Sequence, residues 1–409
     1  MRRLRRFRRS QSDEQDSSAP KQGLQQPHPE AEQWKKTYQE NLQKPRFGLQ
    51  ETLRQLENNE VTSVELTGWQ HVVPHCVARS LALNRTLIDL SLQACKIGDT
   101  GMRELAPSFK HVPLEKLNLS GNGLTDPGAV ALAEGLDRHP TLLHLILDWN
   151  GISDVGVHAL AKHAMSPPLC TLSLAGVADG RGGGTWDNLL DPAQVRSGRC
   201  HISDEGCRAL ALFLPHATTL ERLVLSRQVR ITSQGIAALA LAATSLKHLE
   251  LQRLPLTDEG AEELARLLPT LRLESLDLKL NELTDRGATA LAACLSRCPS
   301  LRRLALSQNA IGVEGLQAFG KAMSINPFLL ELDVYGHEGG EQGSESVRQI
   351  ARWLRVNKKV EQMRAETDAC CRLCPLILSR LGRLPDSSRL FLFWLSNPAI
   401  VAVPKACIS

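Results

Sequence analysis

One leucine pattern, repeated ten times at intervals of about 28 residues from Val61 to about Lys359, constrains this chain more than any other feature. The clearest copy runs Leu114, Leu117, Leu119, Asn122, Leu124, then Thr125-Asp126-Pro127-Gly128 and an apolar-periodic stretch from Ala129 to Leu136. The template begins again at Leu142, Leu273 and Leu301 and keeps its Asn as Asn150, Asn281 and Asn309. Looser copies begin at Val61, Leu87, Leu169, Leu220, Leu246 and Leu329.

Leu117 and Leu119 alternate with polar residues, as in a strand with one buried face. The Asp-x-Gly that follows reads as a turn in which Gly supplies a positive φ. Ala131, Leu132 and Leu136 then mark the inner face of a short helix. Neither the strand nor the helix can bury its apolar side alone, so the units must stack and share one core. Right-handed crossovers place every helix on the same side of a parallel sheet. The Asn amide is expected to pair with backbone groups left open at the strand end, where an unpaired buried group costs roughly 1–3 kcal/mol. Cys95 holds this place in the second copy as a weak S–H donor, and Leu254 and His337 depart from the rule.

The unit "LEKLNLSGNGLTDPGAVALAEGL" resembles the ribonuclease-inhibitor class of leucine-rich repeats, which also furnishes the repeat domains of NOD-like receptors and of the Ran GTPase-activating protein. The resemblance covers about three quarters of the chain. It implies an α/β leucine-rich-repeat solenoid, a horseshoe with a concave parallel β-sheet, convex helices and a helical cap at each end. It also implies a cytosolic or nuclear protein that binds other proteins, because this scaffold hosts many unrelated binding roles.

The copy at Leu169 is too long, with 51 residues to Thr219 against 28 from Leu114 to Thr141. Excising 177–199 restores the template, with Cys200 in the Asn place, so 177–199 is an insertion into an intact unit. Its Gly182-Gly183-Gly184, Trp186, Leu189 and Leu190 suit either a plain surface loop or a binding loop. Residues 1–33 read as a disordered tail that opens with Arg2, Arg3, Arg5, Arg6, Arg8 and Arg9. That run suits a nuclear address, a weak contact with an anionic lipid or RNA, or a solvated tail, and no apolar stretch follows to make a secretory signal. Residues 34–60 read as an N-terminal helical cap, with one helix through Trp34, Tyr38 and Leu42 and another through Leu49, Leu53 and Leu56. Residues 360–409 read as a C-terminal helical cap, since the apolar run from Leu390 to Val403 is broken by Pro398 and is too short to span a membrane.

Composition narrows the function. Residues 1–60 carry 12 Lys plus Arg against 9 Asp plus Glu, and the remainder carries 36 against 35. A body so near neutral argues against a broad nucleic-acid surface. Eleven cysteines, several at core positions, read as reduced thiols. Gly315 to Lys321 has phosphate-loop spacing, but Ala322 replaces the Ser or Thr that would bind Mg²⁺. Cys371 and Cys374 have no second pair at zinc-site spacing, and Cys294 and Cys298 fit a helix. No cofactor, metal site or catalytic constellation is expected.

The residues between the strand leucines should face the hollow. At the central place these are Glu65, Ser91, Asn118, Ile146, Ser173, Val224, Glu250, Asp277, Ala305 and Asp333, and Asp148, Lys279 and Tyr335 lie two places further on. Trp149, beside Asp148, is the leading candidate contact because large aromatics dominate binding energy at interfaces. Arg222, Lys247, Glu250, Asp277, Lys279 and Arg302 form a mixed-charge ladder suited to a protein partner. The sequence therefore points to a non-catalytic scaffold or adaptor. The second reading is a GTPase-activating protein resembling the Ran activator, with a small GTPase as partner, and a separated repeat region of an innate-immune sensor is a third. Deleting 177–199 is expected to leave cooperative thermal unfolding intact; a broadened, non-cooperative melt would show that the insertion belongs to the fold.

Overall fold

The computed structural model describes residues 47–68, 74–163, 168–176, 201–336 and 340–378. The Arg run, the expected helix at Trp34–Leu42, the insertion 177–199 with Cys200, His337 and the tail from 379 onward lie outside the described residues.

Ten strands of three residues form one parallel sheet in strict chain order. They are β1 (Ser63–Glu65), β2 (Asp89–Ser91), β3 (Lys116–Asn118), β4 (His144–Ile146), β5 (Thr171–Ser173), β6 (Arg222–Val224), β7 (His248–Glu250), β8 (Ser275–Asp277), β9 (Arg303–Ala305) and β10 (Glu331–Asp333). The register never slips: the middle residues, from Val64 through Leu90 and Leu117 to Leu332, stand opposite one another along the whole sheet. A helix follows every strand and packs on the helix of the next coil. Helices pack about 8–10 Å apart and strands about 4.8 Å, so the stack bends with its sheet on the inside.

The leucine rows make a single continuous core. Leu90, Leu117, Leu145, Leu223, Leu276 and Leu304 are fully or almost fully shielded from water. Helical leucines such as Leu105, Leu132, Leu160, Leu264 and Leu291 meet them from the other layer. At the start of the stack, helix Phe47–Glu57 brings Leu56 into the core, with Leu49 and Leu53 packed beside it. At the far end, helix Gly340–Leu378 covers the last coil through Val347, Ile350, Trp353 and Leu354. This helix begins well before residue 360, so the last coil's own helix and the terminal helix are one continuous element.

The Asn place works as a ladder between coils. Asn150 donates to the carbonyls of Leu119 and Leu147, both at 3.0 Å, and its Oδ1 accepts the N–H groups of Asn122 and Leu124, also at 3.0 Å. Asn122, Asn281 and Asn309 repeat the arrangement. The Cys95 thiol donates to the Leu66 carbonyl at 2.8 Å. Gln228 fills the same place in the coil of β6, donating to Leu174 at 2.6 Å and accepting from Ile202 at 2.8 Å. Its offset from Leu220 equals that of Asn122 from Leu114, so position alone would have revealed it.

A second ladder corrects the reading of Asp-x-Gly. Gly128, Gly156 and Gly206 lie in the first turns of helices and are not among the residues at positive φ. Each is glycine because a side chain has no room: a Cβ on Gly128 would lie 2.4 Å from Asp99 Oδ1 of the preceding coil, and one on Gly156 or Gly206 would press on Ile152 or Ile202 of its own coil as well as on the preceding Asp. The Asp99 carboxylate accepts the N–H of Gly128 at 3.0 Å and the N–H and hydroxyl of Thr125 at 2.7 and 2.5 Å. Asp126 with Ser153 and Gly156, and Asp154 with Ser203 and Gly206, repeat the clamp. A carboxylate at a helix N-terminus also complements the helix dipole. Leu117→Ala and Leu276→Ala should each lower unfolding free energy by about 2–5 kcal/mol in a denaturant titration, because each empties a packed site. Gly128→Ala should also destabilise, and a neutral result would show that the two coils can separate at no cost.

Candidate binding surface on the concave sheet

Strand residues on either side of each buried leucine face away from the core, giving three columns of side chains across the hollow. His144, Ile146 and Asp148 make one such row, and Ser275, Asp277 and Lys279 make another. Ile146, Glu250 and Asp277 thus occupy the central column, and Asp148, Lys279 and Tyr335 the upper one.

Trp149 lies at the upper rim, half-buried, with φ at 56°. The place just before the ladder Asn takes a left-handed backbone in coil after coil: Ala94, Gly121, Arg227, Arg253, Leu280 and Gln308 all do so. The conformation lets the residue's N–H reach the next coil, as Trp149 reaches the Ala175 carbonyl at 2.7 Å. Glycine adopts it freely; a side chain there costs roughly 1–2 kcal/mol, and a bulky residue is an outlier.

Asp148 turns back along the sheet. Its Oδ1 accepts the Ser173 hydroxyl at 2.5 Å and the Ala175 N–H at 2.8 Å. Burial pushes this carboxyl above the ordinary aspartate range, and the Ser173 and Ala175 bonds with the nearby Arg222 charge oppose that shift without cancelling it. Ser173, which carries no charge to draw attention in the sequence, is thus the polar support of this group.

On the next strands the charges are paired within the chain. Arg222 contacts Glu250 across β6 and β7. Lys279 binds Asp333 at 3.1 Å and reaches Asp277 at 4.0 Å. Gln252, at the same place in its coil as Asp148, donates to Asp277 at 2.9 Å. Burial raises the Asp277 carboxyl against the pull of the Lys279 N–H and ammonium. Asp333 is also penalised by burial, but its bonds from Ser307 and Lys279 leave it below the usual range. Tyr335 is 76% exposed past the end of β10.

Arg302 stands apart. It precedes β9, donates to the Phe328 carbonyl at 3.1 Å and pairs with Glu361 of the terminal helix at 3.4 Å. Its place is the edge where that helix lies, not the hollow. Lys247, likewise one residue ahead of its strand, pairs with Glu221 at 2.5 Å. The first column at β9 belongs instead to Arg303, paired with Glu331 at 2.5 Å.

The structure brings Ile146, Asp148 and Trp149 together on and just after β4, Arg222 and Glu250 on adjacent strands, and Asp277 and Lys279 on β8. Ser173 on β5 links the first group to the second. Cys294 and Cys298 are buried with their sulfurs 4.0 Å apart, and among the described residues no group of three metal-ligating side chains occurs. No helix among them is long and apolar enough to cross a membrane.

A family model described as "Leucine Rich repeat" matches residues 83–106, 111–133, 138–161, 242–265, 273–292 and 297–320. The chain carries leucine-rich repeats, stacked side by side in the ten-coil sheet. It is similar to human NACHT, LRR and PYD domains-containing protein 5, with 28% identity over 264 residues, 63% of this chain. It spans only 18% of the length of that relative. It is also similar to ribonuclease inhibitor of Sus scrofa, with 25% identity over 351 residues, covering 81% of this chain and 70% of the inhibitor. Among solved structures, the Rad7 and Elc1 complex in yeast aligns with a TM-score of 0.35 and 19% identity over 76% of this chain and 89% of that one. The repeats are thus similar in sequence to those of ribonuclease inhibitor.

The raised carboxyl at Asp148 sets the sign of a pH effect. With the folded value above the unfolded one, the ionised group costs stability above the folded value, and the cost fades as pH falls through it. Asp148→Asn keeps an acceptor for Ser173 and Ala175 and removes the charge. It should raise the melting temperature at pH 7, with the gain shrinking on acidification through the aspartate range. A variant less stable than the parent at pH 7 would contradict this.

Proposed function

We propose that this chain is a non-catalytic protein-interaction module, a scaffold or adaptor of the cytosol or nucleus that holds a protein partner in its hollow around Trp149. Leucine-rich repeats are typical of protein-interaction modules, and both the repeat match and the ribonuclease inhibitor relative are in keeping with that use. The single observation carrying the finer reading is the pair Asp148–Trp149. Two adjacent residues on the hollow's edge each cost the fold stability, one by holding a large side chain on a left-handed backbone and one by burying a carboxylate. Gly and Asn would remove those costs without disturbing the core. The left-handed place is common to the coils, but among the described residues only here does it carry an aromatic ring beside a carboxyl raised by burial.

Trp149 supplies the apolar anchor, with Ile146 beside it. Asp277, Lys279, Glu250, Arg222 and Tyr335 supply the polar border. Because Arg222–Glu250 and Lys279–Asp333 are already paired, a partner exchanges one ion pair for another and gains specificity more than affinity. No cofactor takes part in this reading.

Affinity capture with the intact chain beside a Trp149→Gly, Asp277→Lys variant tests it. A partner retained by the parent should be lost by the variant, at least about tenfold in affinity for an anchor of this kind. Both proteins should melt cooperatively. Equal retention of every captured protein by a folded variant would end the concave-site proposal.

A further inference from the structure

Two polar clamps cross from coil to coil. In the first, the residue in the Asn place donates to a carbonyl of the preceding coil, as Cys95, Asn122, Asn150, Gln228, Asn281 and Asn309 do. In the second, an Asp at the head of a helix accepts N–H groups from the head of the next helix. Asp99, Asp126, Asp154, Asp204, Asp258 and Asp285 all do this.

Both clamps fail at one joint. Between β6 and β7 the Asn place holds Leu254, which has no polar side-chain atom, and the Asp place holds Ser233. The receiving groups are still there. Thr257 and Gly260 stand at the head of helix Asp258–Leu267, where Thr232 and Gly235 receive Asp204 one coil earlier. Gly260 N–H bonds instead to the Thr257 carbonyl of its own coil at 3.1 Å. Among the described residues, no other joint has both clamp positions visible and both without a clamp.

The inner side of this joint remains bonded. Leu225 and Arg227 donate to Glu250 and Gln252 at 3.0 and 2.7 Å, Gln252 N–H reaches the Ser226 hydroxyl at 3.2 Å, and the Ser245 hydroxyl reaches the Ala217 carbonyl at 3.3 Å. Two ion pairs, Arg222–Glu250 and Lys247–Glu221, also cross here. Exposed pairs of this sort are weak and are screened by salt. The joint is thus fastened along the strands and along the surface, while the helix heads are held by apolar packing alone.

We propose that the solenoid hinges between β6 and β7, pivoting on the strand bonds and on the Arg222–Glu250 and Lys247–Glu221 pairs beside them. Opening it parts helix Ser233–Ala242 from helix Asp258–Leu267 and changes the curvature of the hollow. The hinge stands independently of the concave-site reading, since it follows from the missing clamps and not from any partner.

Amide hydrogen exchange on the full chain tests it. The amides at the head of helix Asp258–Leu267 should exchange about tenfold faster than those at the head of helix Asp285–Cys294. Ser233→Asp, which offers Thr257 and Gly260 the missing carboxylate, should close the gap. If that variant does not fold, Leu254→Asn restores the other clamp and should slow the same amides. Equal protection of the two helix heads in the parent chain, or a folded clamp-restored variant whose amides exchange as fast as the parent's, overturns the hinge.

Discussion

Burial in this molecule is shared between neighbours. A single coil offers one strand of three residues and one short helix, and its leucines would lie half in water without the coils on either side. Because strand residues from Val64 to Leu332 stand in one register, every coil completes the core of the next. The apolar rows set the repeat length, and the repeat length in turn fixes where every polar group at the coil edges must fall.

Those polar groups close what the leucines leave open. The turn at the end of each strand exposes backbone N–H and C=O groups in a place too crowded for water, and one amide side chain satisfies groups from two coils at once, as Asn150 does. The Asp ladder does the same at the helix heads and requires a glycine in the facing coil, since the Asp99 carboxylate occupies the volume a Gly128 side chain would need. Polar closure and close packing are therefore a single constraint. Where it lapses, at Leu254 and Ser233, both ladders lapse together, and that joint keeps its strand bonds but neither polar clamp.

The proposed binding surface is what this construction leaves over. The hollow's columns take no part in the core, so their side chains are free to vary, and in this chain they carry internally paired charges from β6 to β10. At Asp148 and Trp149 a carboxyl raised by burial stands beside an aromatic ring on the left-handed backbone, where other coils hold Ala94, Gly121, Arg227, Arg253, Leu280 or Gln308.

Much of this was legible in the sequence. Leucine spacing gave the strand and helix of each coil, the chain order of the sheet and the outward-facing central column, because a period repeated ten times leaves few ways to bury its apolar residues. Asn spacing gave the ladder, though Gln228, at the same offset, was recognised only from its bonds. The rim position of Trp149 followed from its neighbour Asn150. Other features needed the third dimension. The glycines of the Asp-x-Gly turns proved to answer a neighbouring carboxylate and not their own φ, which no local pattern reveals because the collision is between residues some 29 apart. Arg302 and Lys247 look like concave charges in sequence, yet one residue of offset from the strand sends them to the edge. The pairing of Lys279 with Asp333, the support of Asp148 by Ser173 and the coincidence of two missing clamps at one joint arise between coils. The sequence by itself determined how each coil is built, since that depends on local period; the tertiary structure decided which side chains meet, since that depends on which coils lie side by side and at what height.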